Sequence, residues 1–305
     1  VSTSTNDKWA RWLLHGRFAD DPARRRSILT FLAPVRERVL DNAALSDGDT
    51  VLDVGAGDGL IAFGALDRVA PSGTVILHDI SQDLLNHSRD FAETAGMLDR
   101  CRFIQGSAAD LDAIGDDSVD AVTTRSVLIY LPAEEKAQAV REFYRVLKPG
   151  GRISLFEPIN RFGHPEPDHL LCGYEVTPVA DLAAKVRQAA EGRHPPEEHP
   201  LLDFDERDLL AWIEQAGFSE VHLDYKAEII PRGWFEDWNA FLHAAGNPLD
   251  PTMAEAMAEA LSSDEAERFS AHMLPLVDSR QGIQRMALSY LWATKPGEVP
   301  NPPAP

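Results

Sequence analysis

Cysteine is almost absent. Cys101 and Cys172 are the only two in 305 residues. A disulfide framework or a thiolate metal cluster needs more sulfur at closer spacing, so neither is expected, and a reducing, cytoplasmic setting is. Long apolar runs are also missing. Nothing approaches the ~18 uninterrupted apolar residues of a membrane span, and residues 1–20 show no apolar centre of the kind a signal peptide carries. Basic residues are scarce: 29 Lys and Arg stand against 49 Asp and Glu, a net charge of −20. Nucleic acid binding needs a basic footprint on the phosphate backbone, so nucleic acid is not the expected partner. His164, His169, His194 and His199 are spread too widely for a compact ligand motif, so no metal is expected.

What is present is ordinary globular composition with a regular middle. "WARWLLHGRF" (9–18) and "RRSILTFLAPVRERVLDNAAL" (25–45) space their apolar residues at three and four, which predicts helices. From Thr50 to Pro158 short apolar runs alternate with amphipathic stretches. Strands are predicted at 50–54, 74–79, 101–106, 118–126 and 152–158. Between them, helices are predicted near 59–69, over 81–96 with Ser81 as cap, and over 132–151 with "KPGG" as the stop. Such alternation specifies an α/β, doubly wound parallel sheet with right-handed crossovers. Residues 159–203 and 231–283 break the pattern as insertions. A helix at 205–218 and strands at 219–230 and 282–295 resume it.

The first strand runs into "VLDVGAGDG" (51–59), where Gly55, Gly57 and Gly59 fall within five residues. A glycine turn between a strand and a helix exposes backbone N–H groups and lets a ligand approach the chain. The dinucleotide fingerprint reads G-x-G-x-x-G. Here the third glycine comes one residue sooner, and Asp58 would face a pyrophosphate with like charge. S-adenosylmethionine carries an ammonium, a sulfonium and one carboxylate but no phosphate, so acids beside the loop suit it better than NAD. Asp79 ends the next strand, 20 residues after Gly59, where a carboxylate can accept from both ribose hydroxyls.

On "VLDVGAGDG" (51–59), "LHDIS" (77–81), "FIQGSAADL" (103–111), "VDAVTTRSVLIYLP" (119–132) and "REFYRVLKPGGRISLFEP" (141–158), the chain resembles the class I S-adenosylmethionine-dependent methyltransferases. Within them it is most similar to the small-molecule branch of ubiquinone/menaquinone and arsenite methyltransferases. The resemblance implies a Rossmann-like, seven-stranded sheet whose last strand is antiparallel. It implies that Asp53, Gly55 and Gly57 line the methionine end of the cofactor, Asp79 the ribose, and Ile80, Ser107 and Ala108 the adenine. Arg125 would lie where the methionine part meets the substrate. The branch usually carries Asp where this chain has Ser107, a weaker acceptor. The arsenite enzymes hold arsenic with several thiolates, which two cysteines do not supply.

Methyl transfer from a sulfonium is an in-line displacement, so alignment and water exclusion matter more than a triad. Candidate bases are Tyr130, Glu157 and His164. His169, Trp234 and Trp238 are candidates for the acceptor side. The expected layout is an N-terminal helical lid (1–46), a cofactor-binding core (47–160, 204–230 and 284–295), two caps (161–203 and 231–283) and a disordered tail (296–305). The reading is a methyltransferase of specialised metabolism acting on a small organic molecule. Its rivals are a cofactor-binding protein without methyl transfer, serving as a scaffold or pericyclic catalyst, and an NAD-dependent oxidoreductase.

Overall fold

The computed structural model describes residues 7–191 and 199–297. His194 and all but the first two residues of the expected tail lie outside them. The described chain opens with helices α1 (Lys8–Leu14) and α2 (Pro22–Ala43). Then come β1 (Thr50–Val54), α3 (Leu60–Arg68), β2 (Thr74–Asp79), α4 (Gln82–Thr94), β3 (Cys101–Gln105), β4 (Val119–Arg125), α5 (Ala133–Val146) and β5 (Leu147–Pro158). A two-stranded hairpin of β6 (Leu170–Leu171) and β7 (Tyr174–Glu175) follows, then α6 (Ala180–Glu191), α7 (Glu206–Ala216) and β8 (Ser219–Ile230). Helices α8 (Trp238–His243), α9 (Met253–Ala260) and α10 (Ser263–Asp278) precede β9 (Gln284–Thr294).

Seven strands form one sheet in the order β3-β2-β1-β4-β5-β9-β8. The first five are parallel, and β9 pairs antiparallel with β5, Phe156 opposite Tyr290. This is the α/β, Rossmann-like sheet that the alternation specifies. Val51, Leu52, Val54, Val75 and Leu77 are all but inaccessible, because strands covered by helices on both faces bury their side chains in both directions. Ser81 caps α4 by accepting from the Leu84 N–H. One boundary differs from expectation. Helix α5 stops at Val146 rather than 151, and the "KPGG" residues belong to β5. Leu147 already pairs with Val119 across a register shift, so the turn geometry of Gly150 serves a strand irregularity and not a helix stop.

The chain divides into two compact units. The sheet unit comprises Leu32–Pro158, Phe204–Tyr225 and Leu288–Pro305. The other comprises Val1–Phe31, Ile159–Asp203 and Lys226–Ala287. The N-terminal block is divided between the two units at Phe31/Leu32. Leu32, Val35, Val39 and Leu40 of α2 are buried in the sheet unit, where Val39 O accepts from Ser154 Oγ at 2.7 Å.

The second unit has its own apolar core, built on Tyr174, Leu182, Phe241, Phe269 and Met273. Trp12 Nε1 donates to Ala245 O at 2.9 Å, and Arg24 pairs with Glu236, which ties the N-terminal helices to the 231–283 segment. Trp238 stacks on Phe241 at 5.1 Å, whereas Trp234 is exposed. Trp238→Ala is therefore expected to cost about 2 kcal/mol of stability through lost packing. Trp234→Ala should stay within about 0.5 kcal/mol. Thermal unfolding of the two variants checks this, and equal shifts would refute the distinction. Among the described residues no helix is long and apolar enough to cross a membrane.

Candidate functional site

The strand order reverses between β1 and β4, and open sheets of this kind bind ligands at the carboxyl edge beside such a reversal. Asp53 and Thr123 face each other there in register, and the Thr123 hydroxyl donates to Asp53 Oδ1 at 2.8 Å. Asp53 is 2% exposed, and its other oxygen, Oδ2, has no hydrogen-bond partner. Burial pushes its pKa up to about 7, against the opposing pull of the Thr123 bond, the Arg125 guanidinium and the Ala62 backbone N–H, which lies near the carboxylate but outside hydrogen-bond geometry to Oδ2. Arg125 ends β4, half-buried, and among the described residues its guanidinium makes no hydrogen bond. A buried acceptor without a donor costs on the order of 1–3 kcal/mol. A buried carboxylate oxygen without a donor, beside the charge of a partly exposed guanidinium, fits a zwitterion carrying one ammonium and one carboxylate.

The glycine loop is shaped by its neighbours. Gly55 has φ +66°, and a Cβ there would stand 2.2 Å from Val127 Cγ2. Gly55→Ala thus meets both left-handed strain and overpacking, and is expected to cost about 2–4 kcal/mol, read as a fall in Tm. An unchanged Tm would show that Val127 can move aside. Gly57 has φ +57°; its N–H donates to Asp79 Oδ2 at 2.8 Å, and its carbonyl accepts from the buried Ser88 hydroxyl at 3.0 Å. Asp79 Oδ1 accepts from the Ser81 N–H, also at 2.8 Å. Asp79 therefore braces the loop from the end of β2.

Ile80, next to Asp79, leaves 55% of its surface exposed, an apolar face beside the loop with little covering it. Ala108 is buried, and Ser107 Oγ accepts from the Ala109 N–H at 3.2 Å. That bond closes a local turn and uses one of the hydroxyl's acceptor positions. His78, on β2 beside this loop, is buried with Nδ1 unpartnered, and burial pushes its pKa down to about 4.

The candidate bases separate by environment. Glu157 is inaccessible at the end of β5. Its Oε1 accepts from the Val127 and Leu128 N–H groups at 2.8 and 3.0 Å, and Oε2 lies 3.4 Å from the Ile129 nitrogen. Its carboxylate caps the 3-10 turn Leu128–Tyr130, and burial pushes its pKa up to about 7. Tyr130 is half-buried in the same turn.

His164 and His169 are exposed on the other unit, which also carries Trp234 and Trp238. Although His164 is exposed overall, packing around its ring, then the neighbouring His199, pulls its pKa below the ordinary histidine value, against Asp250. His199 has both nitrogens engaged, one with Asp250 at 2.9 Å and one accepting from the Leu201 N–H. Among the described residues no group of His, Cys, Asp and Glu could hold a metal ion.

The sheet unit thus gathers Asp53, Gly55, Gly57, Asp79, Ile80, Ser107, Ala108 and Arg125 on the carboxyl ends of β1 to β4 and the turns after them. Reading the sequence alone misses Thr123, Ser88, Val127 and Lys136. Only Lys136 leaves a trace there: it takes an apolar position in the stripe Lys136, Ala139, Val140, Phe143.

Residues 51–151 match the family model described as a methyltransferase domain. The ubiquinone/menaquinone biosynthesis C-methyltransferase of Escherichia fergusonii is 31% identical over 192 residues, covering 60% of this chain and 71% of that protein. The arsenite methyltransferase of Halobacterium salinarum is 31% identical over 153 residues, 48% of this chain and 38% of that one. Among solved structures, a candidate methyltransferase of Bacillus halodurans C-125 superposes with a TM-score of 0.52 at 25% identity, over 86% of this chain and 98% of that one.

Proposed function

From the premise that this chain belongs to the class I S-adenosylmethionine-dependent methyltransferases, we propose that it methylates a small organic acceptor. The observation that carries the reading is the unpartnered Oδ2 of buried Asp53, close enough to Arg125 to feel its charge. Asp53 would accept from the ammonium and Arg125 would bind the carboxylate of the methionine end. Asp79, at the end of β2 beside the loop, would accept from the ribose hydroxyls. Ile80 and Ala108 would cover the adenine, and Ser107 would accept from its amino group. S-adenosylmethionine, when bound, supplies a methyl on a sulfonium, so the protein's task is to align an acceptor and exclude water.

On the acceptor side we carry forward Tyr130, His164, His169 and Trp234. Glu157, inaccessible and engaged by backbone amides, is not proposed as a base. Trp238 is assigned to packing. The small acceptor is supported by relatives whose names specify quinone-biosynthesis and arsenite methylation. Arsenite itself is disfavoured, because holding arsenic draws on several thiolates, the chain has only two cysteines, and burial raises the Cys101 thiol pKa.

The test is methyl-labelled S-adenosylmethionine incubated with the protein and a fractionated cell extract, alongside calorimetric titration with S-adenosylhomocysteine. Label in the small-molecule fraction is the expected result. Label in protein or RNA would overturn the acceptor class. Tight binding with no label in any fraction would favour a non-transferring cofactor binder.

A further inference from the structure

Directly after β4, residues 127–131 are held from both ends by buried charges. At one end Glu157 takes the Val127, Leu128 and Ile129 N–H groups. At the other, the Lys136 ammonium, 1% exposed, donates to Leu128 O at 3.0 Å and Leu131 O at 2.5 Å. The two side chains attract each other, and the ammonium lies 5.2 Å from the centre of the Phe204 ring. Opposite charges fasten the donor end and the acceptor end of a single short turn. The same segment carries Val127, whose Cγ2 occupies the space a side chain at Gly55 would need.

We propose that Glu157 and Lys136 are positioning residues that fix the 127–131 turn so that Val127 holds the glycine loop in its ligand-binding shape. Neither side chain need touch the ligand, because the effect passes through Val127 and the Gly55 backbone. Burying a carboxyl group and an ammonium is costly, so what this pair contributes here is the geometry of the turn. The proposal rests on the methyltransferase reading, since the loop's ligand is S-adenosylmethionine or its demethylated product.

The experiment compares S-adenosylhomocysteine affinity and thermal stability of the wild type with Lys136→Met, Glu157→Leu and Glu157→Gln. Glutamine retains a carbonyl oxygen for the Val127 and Leu128 amides and forfeits only the long contact to Ile129. Lys136→Met and Glu157→Leu, still folded by circular dichroism, are expected to bind on the order of tenfold or more weakly. Glu157→Gln is expected to recover most of that affinity. A purely structural pair would lower Tm in all three and leave the affinity of the folded protein unchanged, and that result overturns the proposal. So does a Glu157→Gln variant as defective as Glu157→Leu.

If the apolar variants do not fold, hydrogen exchange on the ligand-free wild type decides. The amides of Val127, Leu128 and Ile129 should exchange as slowly as those of β4, and fast exchange there refutes a fixed turn. A wild type that binds no S-adenosylhomocysteine would instead defeat the functional reading, so the two failures are distinguishable.

Discussion

Asp53→Asn will raise the thermal stability of the ligand-free protein at pH 8 while weakening S-adenosylmethionine binding on the order of 100-fold. The two signs differ because the carboxylate is poorly housed without a ligand. Its pKa stands near 7 against an ordinary 3.8, since burial disfavours the charge. Asparagine keeps an oxygen for the Thr123 hydroxyl and removes the charge. It also turns an NH2 toward the place proposed for the ammonium.

The same shift fixes a pH dependence. A carboxyl whose folded pKa is raised binds its proton more tightly in the native state than in the unfolded one. Its contribution to stability is full at low pH and declines as pH climbs from about 4 to about 7, by about 1.4 kcal/mol per unit for each such group. Glu157, also near 7, acts in the same direction. His78, lowered to about 4, acts oppositely and loses stability as pH falls from about 6.5. Above about pH 6.5, where His78 no longer opposes them, the acids should show as a further fall in stability that levels off past about pH 7.

Binding runs the other way. An ammonium partner favours ionised Asp53, so wild-type affinity should weaken by up to about tenfold per unit below pH 7, with proton uptake by the free site. Calorimetry in buffers of different ionisation enthalpy measures that linkage. A wild type and an Asp53→Asn variant with the same acid limb would remove Asp53 from the site.

Asp79→Ala is the second large effect, and it should cost stability and affinity together. Alanine leaves the Gly57 and Ser81 N–H groups without their acceptor, at about 1–3 kcal/mol for each buried donor. It also removes the proposed acceptor for the ribose, adding ~2–4 kcal/mol of lost cofactor affinity. Asp79→Asn separates the two roles. Its single carbonyl oxygen can serve Gly57 or Ser81 but not both, so Tm should recover in part while affinity stays low. Calorimetry on the folded variants is the measurement. Near-wild-type affinity in Asp79→Ala would confine Asp79 to bracing the loop.

The sheet was legible because its information is local. Alternating apolar runs and helical periods recur from Thr50 to Pro158, with Ser81 marking the start of a helix, and each is decided within a few residues of the chain. The end of α5 was misplaced because "KPGG" is compatible with both a helix stop and a strand irregularity, and pairing with Val119 across the sheet decides between them. The insertions resisted reading because their core draws Leu171, Tyr174, Phe241 and Phe269 from distant segments, so no short window shows the period.

The sequence by itself determined the fold class and the glycine turn after β1, with Asp53 ahead of it and Asp79 at the end of the next strand, since a strand–glycine–helix passage and a strand-end acid are contiguous patterns. Only the tertiary structure decided what these groups do to one another. It left Asp53 Oδ2 unpartnered beside Arg125, made Asp79 a brace for Gly57, moved Glu157 from candidate base to cap, and drew Lys136 into the same turn. Those outcomes depend on desolvation and on partners 22 to 70 positions away, or on a lysine pointing inward from an otherwise apolar stripe. A carboxylate's role follows from how much water it loses and which donors it meets, and both are properties of packing.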